Sequence, residues 1–153
     1  MDDRYFVIKG RRWRKTDPNI PEQYRQDLVN CLMQGRRQVK AALQSKDNTA
    51  LKQARHQVNQ AKIALGERGT PWWKSPSDDD LLKRAQAVMH SLLTINPDKA
   101  VNLSDIQAVT GARYWSETLE ARFIKNLPTD RNCCGNISIN KTNESIALNK
   151  SKI

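Results

Sequence analysis

The sequence predicts a mainly α-helical protein with a short β-hairpin at its N-terminus. Apolar residues recur at helical spacing through most of residues 21–127, whereas alternation typical of strands occurs near the two ends. A polar stretch at 75–80 separates a basic half from a nearly neutral one. The predicted units are a β-hairpin on an antiparallel helical hairpin (1–74), a linker (75–80), a small helix-turn-helix or degenerate winged-helix domain (81–131) and an asparagine-rich tail (132–153).

The N-terminal hairpin is predicted over residues 4–15. The run Tyr-Phe-Val-Ile at 5–8 favours a strand, and Lys9-Gly10 is suited to the turn that leads into a basic second strand. Each of the prolines at 18 and 21 disfavours helix in the residue before it, so the strand ends there and a helix begins near Pro21. Trp72-Trp73 follows a glycine-proline turn and is expected to fold back onto this hairpin.

Two helices are predicted to form the helical hairpin. The first runs from about Pro21 to Gln44, and the second follows a polar link at 45–48 and runs to Leu65, where Gly66 is expected to cap it. Each carries a narrow apolar stripe, and two stripes joined by a short link are expected to bury against each other. Small residues, Gly35 among them, are expected to let the two backbones approach closely. The stripes consist of Leu28, Leu32, Val39 and Leu43 on the first helix and of Leu51, Ala54, Val58, Ala61 and Leu65 on the second.

The second unit begins with a helix that has a broad apolar face and ends at Asn96-Pro97. Ser104 is expected to cap a short helix through Val109, Gly111 to supply a turn, and 116–127 to form a further helix. Helix, turn and helix in this order are typical of a helix-turn-helix. In the tail, apolar residues alternate with polar ones at 137–148, which leaves a weak two-stranded wing and disorder as alternatives.

The charge distribution is the strongest indication of function. Residues 1–74 hold 16 lysines and arginines against 7 acidic residues, whereas residues 75–153 hold 10 against 9. Cations this concentrated and interleaved with aromatic rings favour contact with a polyanion. We therefore expect a non-catalytic protein that binds DNA or RNA mainly through phosphates. The alternative is a protein-protein interaction adaptor that binds no nucleic acid.

The candidate contacts fall into three groups, and each has a second interpretation. The basic strand 11–15 suits phosphate contact with a tryptophan for stacking, or a solvated strand with Trp13 in the core. The cations beside the helical stripes have two interpretations: they line a groove, or their alkyl chains merely cover apolar surface. Two residues at the start of the second helix of the helix-turn-helix are placed to enter a major groove. The candidates are Arg11, Arg12, Trp13, Arg14, Lys15, Arg36, Lys40, Arg55, Lys62, Arg113 and Tyr114.

Other function classes find little support in the sequence. No apolar run is long enough to span a membrane, and the acidic start does not suit a signal peptide, so we expect a cytoplasmic protein and no membrane partner. Cys31, Cys133-Cys134, His56 and His90 are too scattered for a metal site. No nucleophile-and-base arrangement is visible, so we expect no enzyme activity and no cofactor. The oligomeric state stays open.

Three segments of the N-terminal half resemble a family of small uncharacterised bacterial proteins. They are YFVIKGRRWR at 5–14, LMQGRRQV at 32–39 and AKIALGERGTPWW at 61–73, and together the match covers about half of the chain. Some relatives are labelled as Tol-type biopolymer transporters, although the spanning helix that such a component needs is absent here. The resemblance therefore implies a shared fold but no established activity.

Residues 81–127 resemble a small bacterial domain of unknown function that is thought to be winged-helix-like. The resemblance rests on VNLSDI at 101–106 and on Tyr114-Trp115. It implies a helix-turn-helix followed by a basic helix, a glycine and a hydrophobic wing strand. This sequence departs from that pattern, because Leu127-Pro128 and an asparagine-rich tail stand where the wing is expected.

Overall fold

The computed structural model describes residues 3–127 together with two later strands at 136–140 and 145–149. The protein is mainly α-helical, with a short N-terminal antiparallel β-hairpin that precedes a helical hairpin, and this confirms the predicted fold class. A single 3₁₀ turn, Ala112–Tyr114, precedes the last helix. In chain order the elements are β1 (Tyr5–Ile8), β2 (Arg11–Arg14), α1 (Glu22–Ser45), α2 (Asn48–Ala64), α3 (Asp78–Ile95), α4 (Leu103–Thr110), α5 (Glu117–Lys125), β3 (Asn136–Asn140) and β4 (Ser145–Asn149).

The β1–β2 hairpin turns at the residues that the sequence indicates. Lys9 and Gly10 both have positive φ angles, 50° and 77°, as a two-residue turn that matches the strand twist requires. The register pairs Phe6 with Trp13 and Val7 with Arg12. Because paired residues share a face of the hairpin, Trp13 and Arg12 lie on opposite faces.

The two long helices pack closely where small residues face each other. A Cβ atom added at Gly35 would lie 2.9 Å from Cγ2 of Val58 and 3.3 Å from its backbone nitrogen. Ala54 and Ala61 of α2 are buried, as the predicted stripe requires. The prediction of a close approach at Gly35 is therefore confirmed.

Helix α3 corrects the expectation that the two stripes bury only against each other. It packs across both α1 and α2, and Leu28, Ala61 and Val88 from the three helices belong to one continuous core. The apolar stripe of α1 is also shorter than predicted, because Leu43 is 54% exposed while its neighbour Ala42 is buried. The stripes are too narrow to bury each other completely, so a third helix covers the remaining apolar surface.

The continuous core also includes residues of the predicted second unit, down to Phe123 and Leu127. The two predicted units therefore share buried surface. The boundary between them at 75–80 stays a prediction.

An ion pair and a glycine join the hairpin exit to the helical core. Asp17 is buried, and its Oδ2 accepts a hydrogen bond from Nη2 of Arg84 at 2.9 Å. Arg84 also donates to the carbonyl of Ala64 at the end of α2, which has no partner within the helix. Gly66, at φ 80°, ends α2, with its N–H donating to Ile63 and that of Glu67 to Lys62. The glycine cap predicted at this position is confirmed.

The region from α4 to α5 differs from the prediction at its caps. Asn102, not Ser104, is the N-cap of α4, and the carboxylate of Asp105 accepts the Asn102 backbone N–H at 2.9 Å. Ser116 caps α5 by accepting from the backbone N–H of Leu119. The segment 112–114 forms the 3₁₀ turn, so Arg113 and Tyr114 precede the last helix instead of starting it. Gly111, at φ 104°, makes the turn that was expected of it.

Strands β3 and β4 pair antiparallel, with Ser138 opposite Ala147 and Ile139 opposite Ile146. In these segments the alternation of apolar and polar residues suggested a two-stranded wing. The predicted tail residues on either side of the strands, including Cys133-Cys134, lie outside the described residues. None of the described helices combines the length and the apolar content needed to cross a bilayer.

Candidate nucleic-acid interface

Trp13 joins the basic strand to the helical hairpin. Its ring is half-buried, and the Cζ of Arg11 and the Nζ of Lys62 lie 4.5 and 5.2 Å from the ring centroid. Cations at this distance from an indole ring are attracted by its π-electrons. Of the two roles open to Trp13, this geometry favours the anchoring of β2 against the end of α2.

Four cations gather around this contact, and we call Arg11, Arg36, Lys62 and Arg68 the basic cluster. Burial lowers the pKa of Lys62, and the charges of Arg68, Arg36 and Arg11 lower it further. A like charge within several ångströms disfavours the protonated amine, so this pKa shift reflects the proximity of the three guanidinium groups. The fold thus brings together residues from β2, α1, α2 and the segment after α2.

Glu67 is the acidic residue beside the basic cluster. Burial raises its pKa above the ordinary value, although the charge of Lys62 and a hydrogen bond from the hydroxyl of Thr16 act in the opposite direction. The Thr16 Oγ1 to Glu67 Oε2 distance is 3.3 Å. One half-buried carboxylate beside four cations leaves this surface with net positive charge.

Arg12 and Arg14 lie on the other face of the hairpin and have different surroundings. Arg12 is exposed, with its Cζ 4.0 Å from the ring centroid of Tyr5. Arg14 is half-buried, and its Nη1 donates to the carbonyl oxygens of Gly66 and Gly69 at 3.2 and 3.0 Å. Its guanidinium is therefore engaged in holding the segment after α2, in contrast to the free phosphate contact that we predicted for it.

The tryptophan pair folds back onto the hairpin as the sequence indicates. Nε1 of Trp72 donates to the carbonyl of Lys15 at 3.1 Å, and the Trp73 ring meets Tyr5 edge-on at 5.5 Å between centroids. The guanidinium of Arg14 lies 5.7 Å from the Trp73 ring centroid. Together these contacts hold the tryptophan pair against the start of β1 and the end of β2.

Three further candidates, Lys15, Lys40 and Arg55, are exposed. Lys40 lies one helical turn beyond Arg36 on α1, and Arg55 lies two turns before Lys62 on α2, so both extend the positive edge along the helical pair. Within the described part of the chain, none of the predicted cationic contacts takes part in an ion pair. Their charges are therefore not neutralised there by direct pairing.

Arg113 and Tyr114 lie apart from the hairpin, at a cleft that the sequence did not reveal. Nη2 of Arg113 donates to the hydroxyl of Tyr114 at 2.8 Å, and the guanidinium lies 4.7 Å from the ring centroid. Arg68, Lys74 and Lys83 line the same cleft. No local pattern distinguishes these three cations, because they meet only through the packing of α3 and α4 against the end of α2.

The histidines and Cys31, which the sequence offered as metal ligands, are described by the structure. Nowhere in that part of the chain do three His, Cys, Asp or Glu side chains come close enough to hold a metal. The rings of His56 and His90 meet edge-on, with centroids 5.4 Å apart. Cys31 is buried, and this burial raises the pKa of its thiol, which makes the reactive thiolate less accessible.

Comparison with protein families, with curated proteins and with solved structures finds no match to this chain. The two resemblances described above accordingly stay predictions.

Proposed function

We propose that the protein is a non-catalytic nucleic-acid-binding protein that contacts phosphates through its N-terminal half. The principal contacts are Arg11, Arg36 and Lys62, and Lys15, Lys40, Arg55 and Arg68 extend the contact along the helical pair. Arg12 contributes a further exposed charge from the opposite face of the hairpin. Such binding assigns the protein to the cytoplasm, where bacterial nucleic acid is found. Arg14 contributes indirectly by holding the hairpin in place.

One observation carries the proposal. Three guanidinium groups from three segments lie within electrostatic range of Lys62, Arg11 shares the Trp13 ring with Lys62, and Glu67 is an acidic residue beside them. Gathering like charges lowers the stability of the folded chain, since each disfavours the others. A polyanion relieves this repulsion and releases its own counterions on binding. Guanidinium groups are well suited to the task, because their paired N–H groups match the geometry of phosphate oxygens.

The region from α4 to β4 has a secondary role in this proposal. Its order of short helix, glycine turn, helix and strand pair is compatible with a degenerate winged-helix domain. Arg113 and Tyr114 precede α5, where base edges would be within reach if α5 entered a major groove. We propose that this region adds contacts, whereas the phosphates held by the basic cluster supply most of the affinity.

Binding of a labelled duplex and a labelled single strand at two ionic strengths tests the proposal. We expect the Arg11→Ala/Arg12→Ala variant to lose about tenfold in affinity at low salt and to show a shallower salt dependence, since each phosphate contact contributes one unit of slope. The matched control is Lys52→Ala/Lys99→Ala, which removes two exposed charges that are not among the proposed contacts. Absence of binding by the unmodified protein at low salt would refute the proposal.

A second candidate function rests on the apolar strand of the hairpin. Phe6, Val7 and Ile8 are 38%, 64% and 53% exposed. Neighbouring exposed apolar residues on an edge strand are typical of protein contact surfaces. An adaptor that docks through this strand would retain its partner after nuclease treatment of a lysate, whereas a nucleic-acid-binding protein would lose what it captured.

A further inference from the structure

We infer that the cleft between the segment after α2 and the α4–α5 turn holds one unpaired nucleotide of a single strand bound on the basic cluster. This inference rests on the proposed function and names its substrate class, single-stranded nucleic acid. The cleft is lined by segments far apart in sequence, among them 68–72, Lys83 on α3 and Arg113 in the 3₁₀ turn.

The apolar part of the cleft lining suits a flat organic group, as in most small-ligand sites. Trp72, Leu81 and Val109 contribute apolar surface to its walls. The positions of these walls are fixed, because Leu81 and Val109 belong to the core and Trp72 is tied to the Lys15 carbonyl.

The charges around the cleft suit an anionic group. Lys74 and Lys83 are exposed and make no ion pair within the described ranges, and Arg113 bonds only to the Tyr114 hydroxyl there. Of the two carboxylates at the cleft, Asp17 is paired with Arg84. Asp80 is exposed, accepts a hydrogen bond from the Thr70 hydroxyl at 2.7 Å, and lies near enough to Lys83 for that charge to lower the pKa of its carboxyl group. Lys74, Lys83 and Arg113 outnumber Asp80, so the rim keeps a net positive charge for a phosphate.

The cleft adjoins the basic cluster through Arg68. This residue lines the cleft, and its charge also acts on Lys62. Its Nη1 donates to Oδ1 of Asn59 at 2.8 Å, which holds the guanidinium between the two regions. A nucleic-acid strand whose phosphates lie on the basic cluster therefore reaches the cations of the cleft along a continuous positive surface.

A nucleotide combines the two properties that the cleft selects. Its base is a flat ring suited to apolar and aromatic walls, and its phosphate suits the cationic rim. A base within a duplex is stacked on its neighbours and cannot enter, so the cleft discriminates in favour of unpaired strands.

The test measures the affinity of the full chain for a labelled single-stranded oligonucleotide and for the blunt duplex of the same sequence. We expect Lys74→Gln/Lys83→Gln to weaken single-strand binding about tenfold and duplex binding by less than about twofold, because only the single strand reaches the cleft. Lys52→Gln/Lys99→Gln is the charge-matched control and should leave both affinities unchanged. Titration with AMP and with ribose 5-phosphate tests whether the base itself contributes, and tighter binding of AMP is expected.

Each outcome has a definite consequence. An equal loss for single strand and duplex, or no loss for either, overturns the inference while the proposed function stands. Failure of the unmodified protein to bind either polymer refutes the proposed function. In that case, AMP binding that Lys74→Gln/Lys83→Gln weakens would assign the cleft to a free nucleotide and would overturn its assignment to a strand. If AMP binds no more tightly than ribose 5-phosphate, the cleft recognises phosphate alone and the inferred base contact is wrong.

Discussion

At the scale of single residues, neighbouring cations of one strand have different roles. Arg11 lies beside Trp13 on one face of the hairpin, whereas Arg14 points to the opposite face and donates to two backbone carbonyls. Removal of this charged donor takes a partner from the carbonyl of Gly66, which is buried, as well as from that of Gly69, which is exposed. The loss of a partner at a buried carbonyl costs more than the loss of a solvated charge. Arg14 should therefore affect stability, and Arg11 should affect binding.

The first prediction separates these two roles. We expect Arg14→Ala to lower the free energy of unfolding by about 2 kcal/mol, because two charge-assisted hydrogen bonds are lost. Arg11→Ala should change it by less than about 0.5 kcal/mol, as is usual for an exposed site. Chemical denaturation of both variants measures the difference, and equal stability of the two would contradict the structural role of Arg14.

The second prediction concerns the ion pair between Asp17 and Arg84. Asp17→Ala should destabilise the fold by about 3 to 5 kcal/mol, since it leaves the guanidinium buried without its counter-charge. Asp17→Leu/Arg84→Met, which replaces the pair by apolar groups, should be less destabilising than Asp17→Ala. Denaturation curves decide the matter, and a double variant at least as unstable as the single one would contradict this explanation.

The third prediction follows from the histidine pair. Burial lowers the pKa of His90, and the nearby charge of His56 lowers it further. The unfolded chain therefore takes up the proton more readily than the folded chain. The stability from neutral His90 is complete above the ordinary pKa of 6.5 and is lost as pH falls through the lower folded value. His90→Gln should flatten the acid side of a plot of unfolding free energy against pH, and an unchanged slope would exclude His90 as the cause.

At the scale of elements, the helical hairpin depends on one small residue. A Gly→Ala change inside a helix normally stabilises it by about 0.5 to 1 kcal/mol, but an extra methyl group in a close-packed contact costs about 1 to 3 kcal/mol. At Gly35 the nearest atoms belong to Val58, and one of them is backbone that cannot rotate away. The packing cost should therefore exceed the gain in helix propensity.

The fourth prediction tests this balance. Gly35→Ala is expected to lower the melting temperature, with a net loss of about 1 kcal/mol. In a Val58→Ala background, where the nearest side-chain atom is absent, the same change should be neutral or stabilising. If Gly35→Ala destabilises both backgrounds equally, contact with the Val58 side chain is not the cause.

At the scale of the whole molecule, one core serves the entire helical part. Leu28 and Leu65 of the helical hairpin pack in the same cluster as Val88 and Phe123. A fragment that lacks α3 would expose the apolar surface that this helix covers. Small units already bury a low fraction of their surface, so they tolerate such a loss poorly.

The fifth prediction follows from this shared core. A fragment of residues 1–74 should not unfold cooperatively, whereas the full chain should. Thermal unfolding followed by circular dichroism compares the two. A sharp transition in the fragment would show that the predicted N-terminal unit folds alone and that the contacts with α3 are dispensable for it.

The sequence alone determined the local structure of this protein. Lys9-Gly10 specified the hairpin turn, Gly66 the end of α2 and the apolar periodicity the two long helices, because these features depend on backbone preferences and on spacing within a few residues. It also located the charge excess in the first half. Where local alternatives compete, as between Asn102 and Ser104 for one helix cap, sequence reasoning chose wrongly.

Only the tertiary structure decided which cations act together. Arg36 and Lys62 join Arg11 because α1 packs against α2 and Trp13 of β2 contacts Lys62 of α2. Arg14 is withdrawn because its guanidinium bonds to the segment after α2. The cleft and its cations Lys74, Lys83 and Arg113 arise where α3 and α4 meet the end of α2. Contacts between residues far apart in sequence depend on how whole elements pack, and no local pattern of residue types encodes that packing.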